Sequence, residues 1–391
     1  MRLGDCCKTN LHTYSDKEKW SMIRYLDTGS ITEGRIDEIQ TLYPGVDKIP
    51  SRARRKASVG DILFSTVRPN QKHYGIIEAG TENLLVSTGF TVVTVDTTIA
   101  DSYFIYYYLT QSSVIESLQA IAEQSTSTYP SIKPSDIEDI ELDLPELETQ
   151  KKIGSTLRML DRKIALNEEI NDNLEQQAQS YFQELFVDNA DPEWTTGTIS
   201  DLGAVVGGST PSKAKPEYYT ESGIAWITPK DLSINKSKFV SHGENDITEL
   251  GLKNSSAAIM PEGTVLFSSR APIGYIAIAA GEVTTNQGFK SVVPKPEIGT
   301  PFVYFFLKNT LPVIEGMASG STFKEVSGST MKNVPAVIPD AETLAKFSDF
   351  CAPIFAQQRI LEEQNQSLAT LRDNLLPKLM SGEIDVSSVL L

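Results

Sequence analysis

Only three cysteines occur in 391 residues, adjacent at Cys6 and Cys7 and isolated at Cys351, so they form neither a C-x-x-C pair nor a disulfide framework. That usage fits a reducing compartment. The three histidines, His12, His73 and His242, are scattered without ligand spacing, and no metal site is expected. No apolar run approaches the roughly eighteen residues needed to cross a bilayer, and the N-terminus has no basic stretch followed by an apolar one. A cytoplasmic protein without a membrane partner is expected. Catalytic signatures are missing too. Asp191-Pro192-Glu193-Trp194 starts like the Asx-Pro-Pro-aromatic motif that grips a flipped adenine, but lacks its second proline. There is no G-x-x-x-x-G-K phosphate loop. Pro339-Asp340 is not followed by the E-x-K of a restriction-type nuclease centre. No catalytic residues are assigned.

What is there is globular. Apolar residues are 40% of the chain and charged residues 22%, close to the averages of folded domains, and the length predicts two domains. A net charge of −16 argues at first against a nucleic-acid partner, which wants a positive footprint. Its distribution weakens the objection. Residues 130–148 hold seven acids and one lysine, whereas residues 1–129 carry thirteen bases against fifteen acids and residues 191–339 twelve against fourteen.

The chain repeats itself. "GDILFSTVRP" (60–69) returns as "GTVLFSSRAP" (263–272), "YGIIEAG" (74–80) as "YIAIAAG" (275–281), "TGFTVV" (88–93) as "QGFKSVV" (287–293) and "FIYYYL" (104–109) as "FVYFFL" (302–307). Each half has a Gly- and Pro-punctuated mixed body followed by one long segment with a heptad seam. The seams run through Ile153, Leu157, Leu160, Ile164, Asn167, Asn171 and Leu174, and through Phe347, Cys351, Ile354, Leu361, Asn365, Leu368 and Leu375. These helices either lie on their own bodies or pair antiparallel as a coiled coil. The second arrangement sets Asn167 opposite Asn365, polar partners that would fix register. The expected fold class is α+β: two similar mixed α/β recognition domains joined by two long antiparallel helices, a pseudo-two-fold internal repeat. The boundaries are 1–144 for the first domain, 145–190 for the central helix, 191–338 for the second domain and 339–391 for the C-terminal helix and tail. Two similar faces in inverted orientation suit duplex DNA, whose half-sites recur with the helical turn.

In "GGSTPSKAKPEYYTESGIAWITPKDLS" (207–233), "PELETQKKIGSTLRMLDRKIALNEEI" (145–170) and "LRDNLLPKLMSGEIDV" (371–386), the chain resembles the DNA specificity subunits of type I restriction-modification systems. The likeness covers nearly the whole chain, although the first body lacks a GGSTPSK counterpart. It implies a non-catalytic subunit in which each recognition domain reads one half of an asymmetric bipartite target. The helix pair then sets the spacing and docks two methylase subunits, and two restriction subunits join them. It also implies no cofactor in this chain, with S-adenosylmethionine, ATP and Mg in the partners, which would methylate adenine N6. Two other readings remain: the detached recognition part of a fused restriction-methylation enzyme, and a coiled-coil scaffold that binds proteins only.

Basic clusters are the candidate DNA contacts, because a guanidinium grips a phosphate or a guanine edge at two points. The first body offers Arg52, Arg54, Arg55, Lys56, Arg68 and Lys72. The second offers Lys213, Lys215, Lys230, Lys236, Lys238, Arg270 and Lys290, with Thr228 and Asp231 of the "WITPKDL" phrase near base edges. The alternatives are ion-paired loops for the clusters and a helix cap for Asp231. Tyr106 to Tyr108 and Tyr304 to Phe306 read as helices packed on the sheet rather than stacking platforms.

Overall fold

Gly60 and Gly263 both occupy the left-handed region, with φ of 90° and 82°, where a side chain is strained. Each turns the chain into the buried strand of the repeated phrase, Ile62–Ser65 in the first half and Val265–Ser269 in the second. In a computed structural model, which describes residues 1–125, 129–320 and 324–386, the chain divides into two compact units. One comprises residues 1–164 and 367–391, the other residues 165–366. The long helices, Leu147–Gln183 and Ala341–Met380, therefore do not stand apart as bodies of their own: each contributes to both units.

The first unit has two four-stranded sheets. One runs in the order Cys7–Thr9, Phe90–Val95, Ile62–Ser65, Tyr74–Ile76 and is antiparallel throughout. The other runs Gln40–Leu42, Ile23–Leu26, Leu84–Ser87, Ala53–Lys56, with its two middle strands parallel. The second unit repeats the scheme. Gly203–Gly207, Lys290–Pro294, Val265–Ser269 and Ile273–Ala279 form the antiparallel sheet, and Phe239–Val240 adds a parallel edge. Asn245–Ile247, Ile224–Ile227 and Thr284–Thr285 repeat the second sheet, again with its parallel pair. The repeat is thus one of topology. Among the described residues the units differ at the edges: Ala53–Lys56 has no equivalent strand in the second unit, nor have Phe239–Val240 and Tyr219–Thr220 in the first.

The aromatic runs lie in helices packed on these sheets. Tyr106, Tyr107, Tyr304, Phe305 and Phe306 are all buried, within the helices Ser102–Thr110 and Thr300–Gly316. On the same cores lie the long helices. Ile153 and Leu157 join Phe104, Leu379 and the half-buried Leu375 in the first unit, where Leu160, Ile164 and Leu368 are half-buried. Leu174, Phe347, Cys351 and Ile354 join Phe302 and Phe305 in the second, and Leu361 is buried there. Body and partner helix share one apolar stripe.

Within the second unit the helices run antiparallel. Phe182 packs on Phe347, the Gln358 amide donates to the Asn171 carbonyl at 3.1 Å, and Asn167 Nδ2 donates to Asn365 Oδ1 at 2.8 Å. In the first unit Arg372 Nη1 meets Asp161 Oδ1 at 2.7 Å, and Asp161 also accepts from the Tyr107 hydroxyl at 2.6 Å.

Candidate nucleic-acid interface

Each strand of the repeated phrase ends on a hydroxyl hook. Thr66 donates through both its backbone N–H (2.8 Å) and its Oγ1 (2.9 Å) to the Gly89 carbonyl. Ser269 does the same to Gly288, at 2.7 and 3.0 Å. The next residue forms a bridge, Val67 with Ser131 and Arg270 with Glu325. The one after it is left-handed in both units, Arg68 at φ 49° and Ala271 at φ 51°, and each precedes a proline. The structural counterpart of Arg270 is therefore Val67, and that of Arg68 is Ala271. The arginine is displaced by one residue on a shared backbone.

Around Arg270 three separated sequence landmarks meet. Arg270 Nη1 lies 3.4 Å from Glu325 Oε2, and Lys290 Nζ lies 3.8 Å from the other carboxylate oxygen. Lys290 also donates to the Gln287 carbonyl at 3.3 Å, and the Thr210 hydroxyl donates to the Gln287 side chain. Thus "GGSTPSK", "SSRAP" and "NQGF" converge at one end of the five-stranded sheet. Burial pushes the Lys290 ammonium down, with Glu325 opposing the shift.

The matching end of the first unit is built differently. The Arg68 guanidinium lies over the Tyr129 ring, 5.3 Å from its centroid. A side chain at Gly89 would come within 2.7 Å of Arg52 Nη2, so the exposed Arg52 approaches the same glycine that Thr66 hooks. Lys72, also left-handed, pairs with Glu33 at 2.5 Å.

The "SRARRK" cluster is a strand from Ala53 to Lys56, with Arg52 in the turn before it. Ala53 pairs with Ser87 and Arg55 with Val86, leaving Arg54 as the extra residue of a bulge, a device that re-aims a side chain. Arg55 is half-buried, and its Nε finds no acceptor. Lys56 pairs with Glu18 at 2.5 Å and lies over Trp20. In the second unit Lys213 and Lys236 are exposed. Lys215 lies over Tyr218, and Lys230 pairs with Glu244 at 2.6 Å.

Three expectations change on this geometry. Lys238 is not a DNA contact. Its side chain is 6% exposed and pairs with Glu175, its Nζ donates to Gln358 at 2.6 Å, and it lies 4.0 Å from the Phe355 centroid. The backbone amides of Lys238 and Phe239 donate to Glu362, which ties the edge strand to the helix. Asp231 is the acidic member of a capping box at the start of the helix Pro229–Ile234, whose N-cap is Thr228: its Oδ2 accepts from Thr228 N (2.7 Å) and Oγ1 (2.6 Å), and its Oδ1 from Glu244 N (2.9 Å). Neither it nor Thr228 is held ready for a base edge, because these bonds already engage the carboxylate and the hydroxyl proton.

Against known families, the sequence matches the model of the type I restriction modification DNA specificity domain twice, over residues 3–176 and 192–371. The chain belongs to that family. Each match spans one body and most of the long helix that follows it, so the family unit coincides with the internal repeat. The chain is 25% identical to the type I restriction enzyme HindI specificity subunit of Haemophilus influenzae, covering 98% of both chains. It is 39% identical to the MjaIX specificity subunit of Methanocaldococcus jannaschii over 47% of this chain and 45% of that one. Among solved structures, the S subunit of a type I restriction-modification system from M. genitalium shares the fold, with a TM-score of 0.58, 17% identity and coverage of 97% and 95%.

Within this specificity chain, sequence reasoning missed Glu325, Ser131 and Tyr129, the residues that meet the two arginine-bearing turns. They lie outside the repeated phrases, in the stretch after each helical run, where Ser131 of one half stands at the position of Glu325 in the other. It also missed Glu175 and Glu362. Their seam-flanking positions read as a solvated helix face, while their partners lie more than sixty residues away in sequence.

Proposed function

We propose that the chain is the non-catalytic DNA-reading subunit of a type I restriction-modification complex, each unit reading one half of an asymmetric bipartite target in double-stranded DNA. The observation that carries this reading is the sheet end built twice on one backbone with different polar side chains: Arg270, Lys290, Glu325 and Gln287 in one unit, Arg68, Arg52 and Tyr129 in the other. A conserved backbone with exchanged donors and acceptors suits two readers of different base sequences. In this reading the helix pair sets the spacing between half-sites and docks two methylase subunits, which bring S-adenosylmethionine and modify adenine N6. Two restriction subunits add ATP- and Mg-dependent translocation and cleavage.

Methylome sequencing of the source organism with and without the gene tests it. Loss of one bipartite adenine-methylation motif is expected. An unchanged methylome in cells that express the whole system would refute the reading.

A further inference from the structure

The carboxylate of Glu325 is out of keeping with a face that meets phosphates. It stands beside Arg270, on the bridge that closes the sheet end, at 38% side-chain exposure, matching the 37% of the arginine. Its contacts to Arg270 and Lys290, 3.4 and 3.8 Å, are long for charge-assisted hydrogen bonds, which close to about 2.7–2.9 Å. The carboxylate therefore keeps acceptor capacity, and the two cations offset its charge. At the equivalent bridge position the first unit has Ser131 opposite Val67, so both members of the pair are special to the second unit.

In the major groove a G·C pair presents two acceptors on guanine, O6 and N7, next to one donor, cytosine N4. An arginine beside a carboxylate offers the complement: guanidinium donors for guanine and a carboxylate acceptor for the cytosine amine. We infer that Arg270 and Glu325 together read one G·C pair in the half-site of the second unit, with Glu325 as the determinant that selects cytosine and Lys290 as the cation that makes its charge tolerable there. This rests on the DNA-reading function proposed above and assigns one base pair within it.

The test uses the full chain assembled with its methylase subunits, bound to duplexes in which each position of both half-sites is varied in turn. Wild-type assembly should require G·C at one position of the second half-site. Glu325→Ala should relax that requirement by roughly 5- to 150-fold and leave the first half-site untouched, the span expected for one well-made base contact. Glu325→Gln keeps the volume and guards against a folding defect; it should relax the same position less than Glu325→Ala does, because its amide oxygen still accepts from the cytosine amine but without the charge. Base preferences like wild type in both variants, with DNA binding intact, would overturn the inference alone. A wild-type assembly that discriminates no sequence at all would instead overturn the reading on which it rests.

Discussion

Lys238→Met separates a lysine that holds the fold from one that holds DNA. The substitution keeps the apolar stem but removes a charge that is 6% exposed. Removing one partner of a buried ion pair costs about 3–5 kcal/mol when the other charge is left uncompensated. Here Glu175 keeps Lys308 at 2.5 Å, which lowers that figure. Against this, Gln358 Oε1 loses its donor, an orphaned acceptor worth about 1–3 kcal/mol, and the cation over Phe355 is lost. A net loss of about 3 kcal/mol follows, or a fall in Tm of about 6–12 °C for a unit of this size. Thermal and urea melts of Lys238→Met, Glu175→Gln and the double variant measure both the loss and the coupling, which should reach about 1 kcal/mol or more. The pH arm follows from Glu175. Burial alone would raise its carboxyl, but Lys238 and Lys308 hold it below its ordinary value of 4.5. Its folded pKa is thus depressed, so its contribution is present above pH 4.5 and is lost as the pH falls through the depressed value. Glu175→Gln should flatten that acid limb. Glu362 is raised by burial and contributes with the opposite sign, its share of stability fading as pH rises. A Lys238→Met chain with unchanged melts and weakened DNA binding would refute the reasoning.

Two further outcomes are expected. Arg68→Ala and Arg270→Ala should each lose about 1–3 kcal/mol of base discrimination, in different half-sites of the target, measured by competition binding of the assembled complex; equal losses on every sequence would reduce both to phosphate contacts. Asn167→Leu alone should cost about 1–3 kcal/mol by stranding Asn365, whereas Asn167→Leu with Asn365→Leu should restore stability and loosen register, read by crosslinking engineered cysteine pairs along the seam.

The repeat was legible because glycine turns and apolar strand phrases are local signals. Gly60 and Gly263, the TGF and QGF turns and the aromatic helices each leave a mark within about ten residues, and the topology of both units follows their order. The helix seams were legible for the same reason, their period being local. Lys238 was not. Its charge reads as solvated, and only parallel pairing of Phe239–Val240 with Ile273–Ala279 brings it under Glu175 and Glu362. The Asp231 cap was half legible, since Thr-Pro-Lys-Asp carries both a helix start and a cluster of polar groups. Glu325 left no signal, because a single acid gains meaning only when the bridge sets it beside Arg270.

The hydroxyl hooks of Thr66 and Ser269 close their sheet ends on backbone carbonyls and ask nothing of the side chains next to them. Positions 67 and 131, like 270 and 325, can then change identity while the chain path stays as it is. Under the proposed function, a few point changes there alter what one end recognises on a scaffold that already folds.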